Sequence, residues 1–249
     1  MNTTRKSIVR YNLNSYNFPY LLGSYQAITS HTRQQYFKLT APTTSLEDKL
    51  RANMFSIFGD DFSEYLHKDS GSISFIVLST AFMELLDEIT RGNTIIPIGY
   101  IPGSSEREQT YFIHEYIRGF FDQRAKIITR TKRISSSPFL RIKPQVIIKK
   151  ENREILSELE KLLRSIGLSP TKPTKHKGSK GYYHVVSINK AEDIQRVIDI
   201  PLFASQEKLE KLIGLYESWK DLMAEDKYGV LGRRLLNAAR EKRKQEVLA

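Results

Sequence analysis

The chain has 249 residues, with 39 Lys and Arg against 28 Asp and Glu, a formal net charge of +11 and no cysteine. That length allows one large domain or two small ones with a real core, and the absence of cysteine excludes disulfides and thiolate metal sites. No apolar run reaches the length of a membrane span, and the N-terminal MNTTRKSIVRYNLNSYNFPY lacks the apolar core of a secretory signal. The expectation is a soluble, intracellular protein of the cytoplasm, nucleoid or an organelle matrix.

From the N-terminus, an apolar stretch over Phe18–Tyr25 contains Gly23. A strand pair is expected next, its second strand near Tyr36–Thr40. Then Leu46, Leu50, Met54, Ile57 and Phe58 recur at helical spacing, with Ser45 as N-cap and Gly59 as C-cap. The run Ser-Ile-Ser-Phe-Ile-Val alternates polar and apolar residues as a strand does, and Thr80–Ile89 reads as a short closing helix. IIPIGYIPGSS follows, rich in Pro and Gly, and reads as a linker.

The order then repeats. Glu108–Asp122 reads as a helix containing Gly119, and strands are expected at Lys126–Arg133 and Phe139–Lys149. Ile155, Leu159, Leu162, Leu163 and Ile166 mark one face of a second amphipathic helix that stops at Gly167. Ser169–Lys180 reads as a lysine-rich loop without an acid, and a strand at Tyr182–Asn189 and a helix at Ala191–Ile198 close the repeat. Gly59 and Ser79 are 20 residues apart, and Gly167 and Asn189 are 22 apart, each pair ending where a closing helix begins. Beyond residue 204, Leu209, Leu212, Ile213, Tyr216 and Trp219 form an apolar helical stripe, and a further helical stretch ends in REKRKQ. This extension reads equally as a helix packed on the core or as a basic arm.

The charge is uneven. Residues 1–100 hold nine Lys/Arg and nine Asp/Glu, whereas residues 126–180 hold fifteen and four. A basic excess in one window fits contact with a polyanion, with a plain soluble basic surface as the alternative.

The most specific motif is Tyr116-Ile117-Arg118-Gly119-Phe120-Phe121-Asp122-Gln123-Arg124-Ala125. It resembles the signature helix of the LAGLIDADG homing endonucleases, and Leu21-Leu22-Gly23-Ser24-Tyr25-Gln26-Ala27-Ile28 is a weaker candidate for the first of the two such helices. The resemblance covers roughly residues 15–200. It implies an α+β fold of two pseudo-symmetric αββαββα repeats with a helical C-terminal extension: 1–92 as first repeat, 93–105 as linker, 106–204 as second, strongly basic repeat, and 205–249 as extension. It also implies that Gly23, Gly119, Phe120 and Phe121 pack the two motif helices together, glycine permitting close backbone approach.

In that family the eighth motif position holds the acid that binds catalytic metal. Here those positions are Ile28 and Arg124. Isoleucine cannot ligate a hard cation and arginine repels one. Asp122, in the sixth position, is assigned a capping or packing role, and nothing in the spacing of Asp60, Asp61 and Asp69 brings them to the motif helices. Arg124 is a candidate phosphate contact, with a solvated or ion-paired side chain as the alternative. No catalytic residue, metal site or cofactor is therefore expected.

The resemblance also implies strands that meet nucleic acid on one face. Tyr36 and Lys38 share a face in the first half; Lys126, Arg130 and Lys132, followed by Arg133, and then Arg141, Lys143 and Gln145, do so in the second. Lys172, Lys175, Lys177 and Lys180 suit phosphate contact. His176 has no partner at metal-ligand spacing, and Tyr182 and Tyr183 are candidates either for stacking on bases or for packing. The favoured reading is a catalytically inactive protein that binds duplex DNA as a regulatory or architectural factor. The alternatives are a maturase-like binder of structured RNA, a subunit of a ribonucleoprotein assembly, and an active metal-dependent endonuclease. A monomeric core is expected, and any protein partner is assigned to the C-terminal extension.

Overall fold

The computed structural model describes residues 12, 15–28, 36–69, 71–90, 105–133, 140–179 and 181–225, with backbone alone at 87–90, 130–133, 140–142 and 222–225. The second half has the complete expected order. Helix α4 (Glu106–Arg124) is followed by strands β4 (Ala125–Arg133) and β5 (Leu140–Lys150), helix α5 (Arg153–Ser165), strands β6 (Thr174–Gly178) and β7 (Gly181–Ile188), and helix α6 (Ala191–Asp199). The first half gives α1 (Phe18–Ile28), β1 (Phe37–Thr40), α2 (Glu47–Phe58), β2 (Ser63–Leu66), β3 (Ile73–Val77) and α3 (Thr80–Thr90). The partner strand expected ahead of β1 falls on residues 29–35, outside the described residues, as does the linker apart from Ser105. Helix α7 (Gln206–Glu225) begins the C-terminal extension; the stretch ending in REKRKQ is also outside the described residues.

Each half carries an antiparallel sheet, ordered β1-β3-β2 in the first and β4-β5-β7-β6 in the second. Local chemistry explains several helix boundaries. Ser105 and Glu108 form a reciprocal capping box that starts α4. The Asn152 side chain caps α5 by accepting from the Glu154 amide. Gly59 (φ 57°) and Gly167 (φ 80°) stop α2 and α5 in backbone conformations that suit glycine. The expected faces of both helices are buried: Leu50, Met54, Ile57 and Phe58 on α2, and Ile155, Leu159, Leu162 and Leu163 on α5.

Two expectations are corrected. Ser45 does not cap α2: Thr44–Leu46 form a tighter 3-10 turn, Leu46 occupies the cap position, and the Ser45 hydroxyl pairs with that of Thr43. The segment Ser169–Lys180 is not loop throughout, because Thr174–Gly178 pairs with Val185–Gly181 as edge strand β6. All but one of its positions are exposed, so it lacks the apolar alternation that marks a strand in sequence.

Among the described residues, helices α1 and α4 make the most extensive contact between two elements. Every residue of α1 from Phe18 to Ala27 is buried, so this helix has no solvent face. The glycines set the distance between the two. A Cβ at Gly23 would lie 1.9 Å from the Tyr116 carbonyl oxygen, and one at Gly119 would lie 2.0 Å from that of Tyr20. Tyr20 and Tyr116 each stand three residues before their own glycine, so each helix presents the same carbonyl to the other's glycine.

Side chains repeat the relation. The Tyr20 hydroxyl donates to the Asp122 carboxylate at 2.8 Å, and the Tyr116 hydroxyl donates to the Gln26 amide oxygen at 2.5 Å. Asp122 and Gln26 each stand three residues after their glycine. The dyad thus consists of two glycine contacts and two crossed, buried phenol hydrogen bonds. Burial, then the Asp122 carboxylate, hold the Tyr20 phenol well above its usual pKa, so it remains a donor.

Candidate nucleic-acid interface

The motif helices bring their C-terminal ends together. Arg124 Nε donates to the Ala27 carbonyl at 2.8 Å, so Arg124 reaches across the dyad to the last turn of α1, next to Ile28. Ile28 itself packs against the hydrophobic core. Lys150, at the end of β5, directs its Nζ towards the Gln26 carbonyl at 3.4 Å. Two cations therefore meet the carbonyl end of one helix, where the backbone dipole favours positive charge. Burial, then the neighbouring Arg124, lower the Lys150 ammonium to a pKa of about 8.

This donor set does not fit a divalent cation. A hydrocarbon, a guanidinium and an ammonium occupy the end of the motif helices, and none supplies an anionic oxygen. Among the described residues no group of three or more His, Cys, Asp or Glu is placed to hold a metal ion. Asp60, Asp61 and Asp69 are exposed on the segments flanking β2.

Asp122, two residues before Arg124 on α4, is buried, and its carboxylate is committed elsewhere. Besides Tyr20 it accepts from the backbone amides of Ala204 (3.1 Å) and Ser205 (3.1 Å), immediately before α7. In return Lys208 of α7 donates to the carbonyls of Phe121, Asp122 and Ala125 at the end of α4. Each helix end thus receives its missing partners from the other. Burial raises the Asp122 carboxyl pKa, with the Ser205 amide, the Tyr20 hydroxyl, the Ala204 amide and the Lys208 charge opposing it.

Helix α7 packs against β5 and β4, with Leu212 and Tyr216 buried. Its described part is therefore a helix docked on the core, the first of the two readings of the extension. Along this contact the Lys143 ammonium lies 5.4 Å from the centre of the Trp219 ring.

The remaining expected contact residues separate into three groups. Lys126, Lys172, Lys175 and Lys177 are exposed, as is Tyr36, and Lys38 is half-buried beside the core residues Phe37 and Leu39. Gln145 is only 7% exposed, and Lys143 is half-buried with its ammonium beside Trp219 of α7. Backbone pairing places Arg130 opposite Lys143 and Lys132 opposite Arg141, with Arg133 opposite Leu140; the side chains of Arg130, Lys132, Arg133 and Arg141, and Lys180 altogether, lie outside the described residues. Lys149 is also exposed, on the same sheet face as Lys126. Strand alternation was its available signal.

No family model and no curated protein matches the sequence. Solved structures match the fold. One is I-SmaMI bound to an uncleaved DNA target in the presence of calcium ions, at 13% identity, TM-score 0.52, covering 88% of this chain and 96% of that one. Another is the I-LtrWI LAGLIDADG homing endonuclease bound to target DNA, at 13% identity, TM-score 0.52 and coverage of 90% and 96%. A third is the LAGLIDADG meganuclease I-AabMI bound to uncleaved DNA, at 11% identity, TM-score 0.51 and coverage of 90% and 98%. The chain has the LAGLIDADG homing-endonuclease fold, an α+β arrangement with one antiparallel sheet in each half. No helix among the described residues is long and apolar enough to cross a membrane.

Proposed function

We propose that this protein binds nucleic acid without cutting it, using a LAGLIDADG scaffold whose metal-binding positions have been replaced. Duplex DNA is the favoured ligand and a regulatory or architectural role the favoured use. The carrying observation is the chemistry at the motif-helix ends: Arg124 and Lys150 direct positive charge at the carbonyls of Ala27 and Gln26, and Ile28 packs into the core. Binding phosphate at such a centre needs no metal, whereas cleavage by the metal-activated route needs anionic oxygen ligands. The second repeat supplies the ligand surface, with exposed Lys126, Lys149, Lys172, Lys175 and Lys177. These cations position a backbone; they carry no sequence information by themselves.

The test is a binding and cleavage assay on duplex DNA with magnesium, with manganese, and with chelator. Retained duplex binding in chelator, with intact substrate under all three conditions, is the expected result. Metal-dependent cleavage that chelation abolishes would overturn it. Tighter binding to structured RNA than to duplex DNA across a salt titration would shift the ligand to the maturase-like alternative.

A further inference from the structure

The hairpin β6–β7 extends beyond the rest of its sheet. Strand β5 ends at Lys150, opposite His184, so residues 181–183 of β7 are paired with β6 alone. The result is a projecting two-stranded ribbon with an exposed tyrosine, Tyr182, on one face and a half-buried one, Tyr183, on the other. On one face Lys177 stands opposite Tyr182 and Lys175 opposite His184. Lys175 Nζ lies 4.1 Å from the Tyr182 ring centre, yet Tyr182 remains 58% exposed. On the other face the His176 and Tyr183 rings stack at 5.7 Å with an interplanar angle of 17°, and Lys149 Nζ lies 5.1 Å from the Tyr183 ring.

We propose that this ribbon is a stacking site for unpaired nucleobases, so that the protein engages single-stranded nucleic acid at the ribbon in addition to a duplex on its sheet. An exposed tyrosine flanked by lysines offers a π face for a base and cations for the adjoining phosphates. A base inside a duplex is already stacked on both sides and has no free face, which restricts this site to unpaired nucleotides. Charge complementarity favours nucleic acid: the segment Ser169–Lys180 carries four lysines and no acid. An acidic peptide would be held by the lysines and would be indifferent to the rings.

The proposal is tested on the full chain by fluorescence anisotropy with a labelled oligouridylate, an abasic single strand of equal length, and a labelled duplex. Tyr182→Ala weakens oligouridylate binding by about fivefold or more, leaves duplex affinity within about twofold, and leaves abasic-strand affinity unchanged. Tyr182→Phe retains oligouridylate binding, because stacking needs the ring and not the hydroxyl. Failure of the wild-type chain to bind oligouridylate would overturn the proposal. So would an unchanged Tyr182→Ala, a Tyr182→Phe as damaging as Tyr182→Ala, or equal losses on oligouridylate and duplex. The duplex measured on wild-type protein tests the proposed function separately, so the two readings fail independently.

Discussion

Gly119→Ala tests the central contact of the fold. The added Cβ would sit 2.0 Å from the Tyr20 carbonyl oxygen and 2.9 Å from the Ser24 amide nitrogen. Ordinary contact begins at 3.4 Å, so α1 must retreat by about 1.4 Å along this line. Both neighbours are backbone, and no side-chain rotation relieves the clash. Overpacking of this kind costs roughly 1–3 kcal/mol. The same retreat stretches the Tyr20–Asp122 and Tyr116–Gln26 bonds, each contributing about 1 kcal/mol or more. Alanine's better helix propensity returns about 1 kcal/mol. The net expectation is a loss of at least about 2 kcal/mol, read as a lower urea midpoint. Gly23→Ala should behave alike, with its Cβ 1.9 Å from the Tyr116 oxygen, and the double variant should cost less than the sum, because one separation relieves both clashes. Gly214→Ala is the internal control: it lies within α7, its Cβ meets nothing within 4 Å, and it should stabilise the protein by up to about 1 kcal/mol. Wild-type stability in Gly119→Ala, or equal destabilisation by Gly214→Ala, would refute the close-approach argument.

Further expectations concern the charged groups. Asp122→Ala should release the start of α7, destabilising the protein by roughly 2–4 kcal/mol and speeding hydrogen exchange at the Ala204 and Ser205 amides; unchanged exchange would show that the cap is dispensable. Lys150 has a folded pKa of about 8 against an ordinary 10.5. Below pH 8 both folded and unfolded states hold its proton and the burial penalty is present in full; between pH 8 and 10.5 the folded state releases the proton first, so stability rises with pH. Lys150→Met should therefore be more stable than wild type near neutrality, by on the order of 2–3 kcal/mol, with the gap closing as pH approaches 10.5; a gap independent of pH would contradict the assignment. Lys126→Ala with Lys149→Ala should weaken duplex binding and lower the slope of log affinity against log salt by about 2. Lys38→Ala should do neither to a comparable extent, and equal effects would remove the argued asymmetry between the halves.

Much of this architecture is local and therefore legible in sequence. The apolar period of α2 and α5 fixes which faces are buried, and glycines 59 and 167 stop those helices because their backbone angles suit a residue without Cβ. The motif around Gly119 pointed to its packing partner at Gly23, since both depend on residue identity and spacing. Other features depend on partners far along the chain. Asp122 binds Tyr20, 102 residues earlier, and Ser205, 83 residues later. Lys143 and Gln145 followed strand alternation correctly, yet α7 engages the first and the second is buried. Strand β6 was hidden because an exposed edge strand has no apolar rhythm, only a neighbour. The glycines of the motif helices thus determined how closely the two helices pack. Only the tertiary structure decided that Arg124 of α4 and Lys150 of β5 both turn to the carbonyl end of α1, because a cation's partner is set by which unsatisfied backbone groups the fold brings within reach.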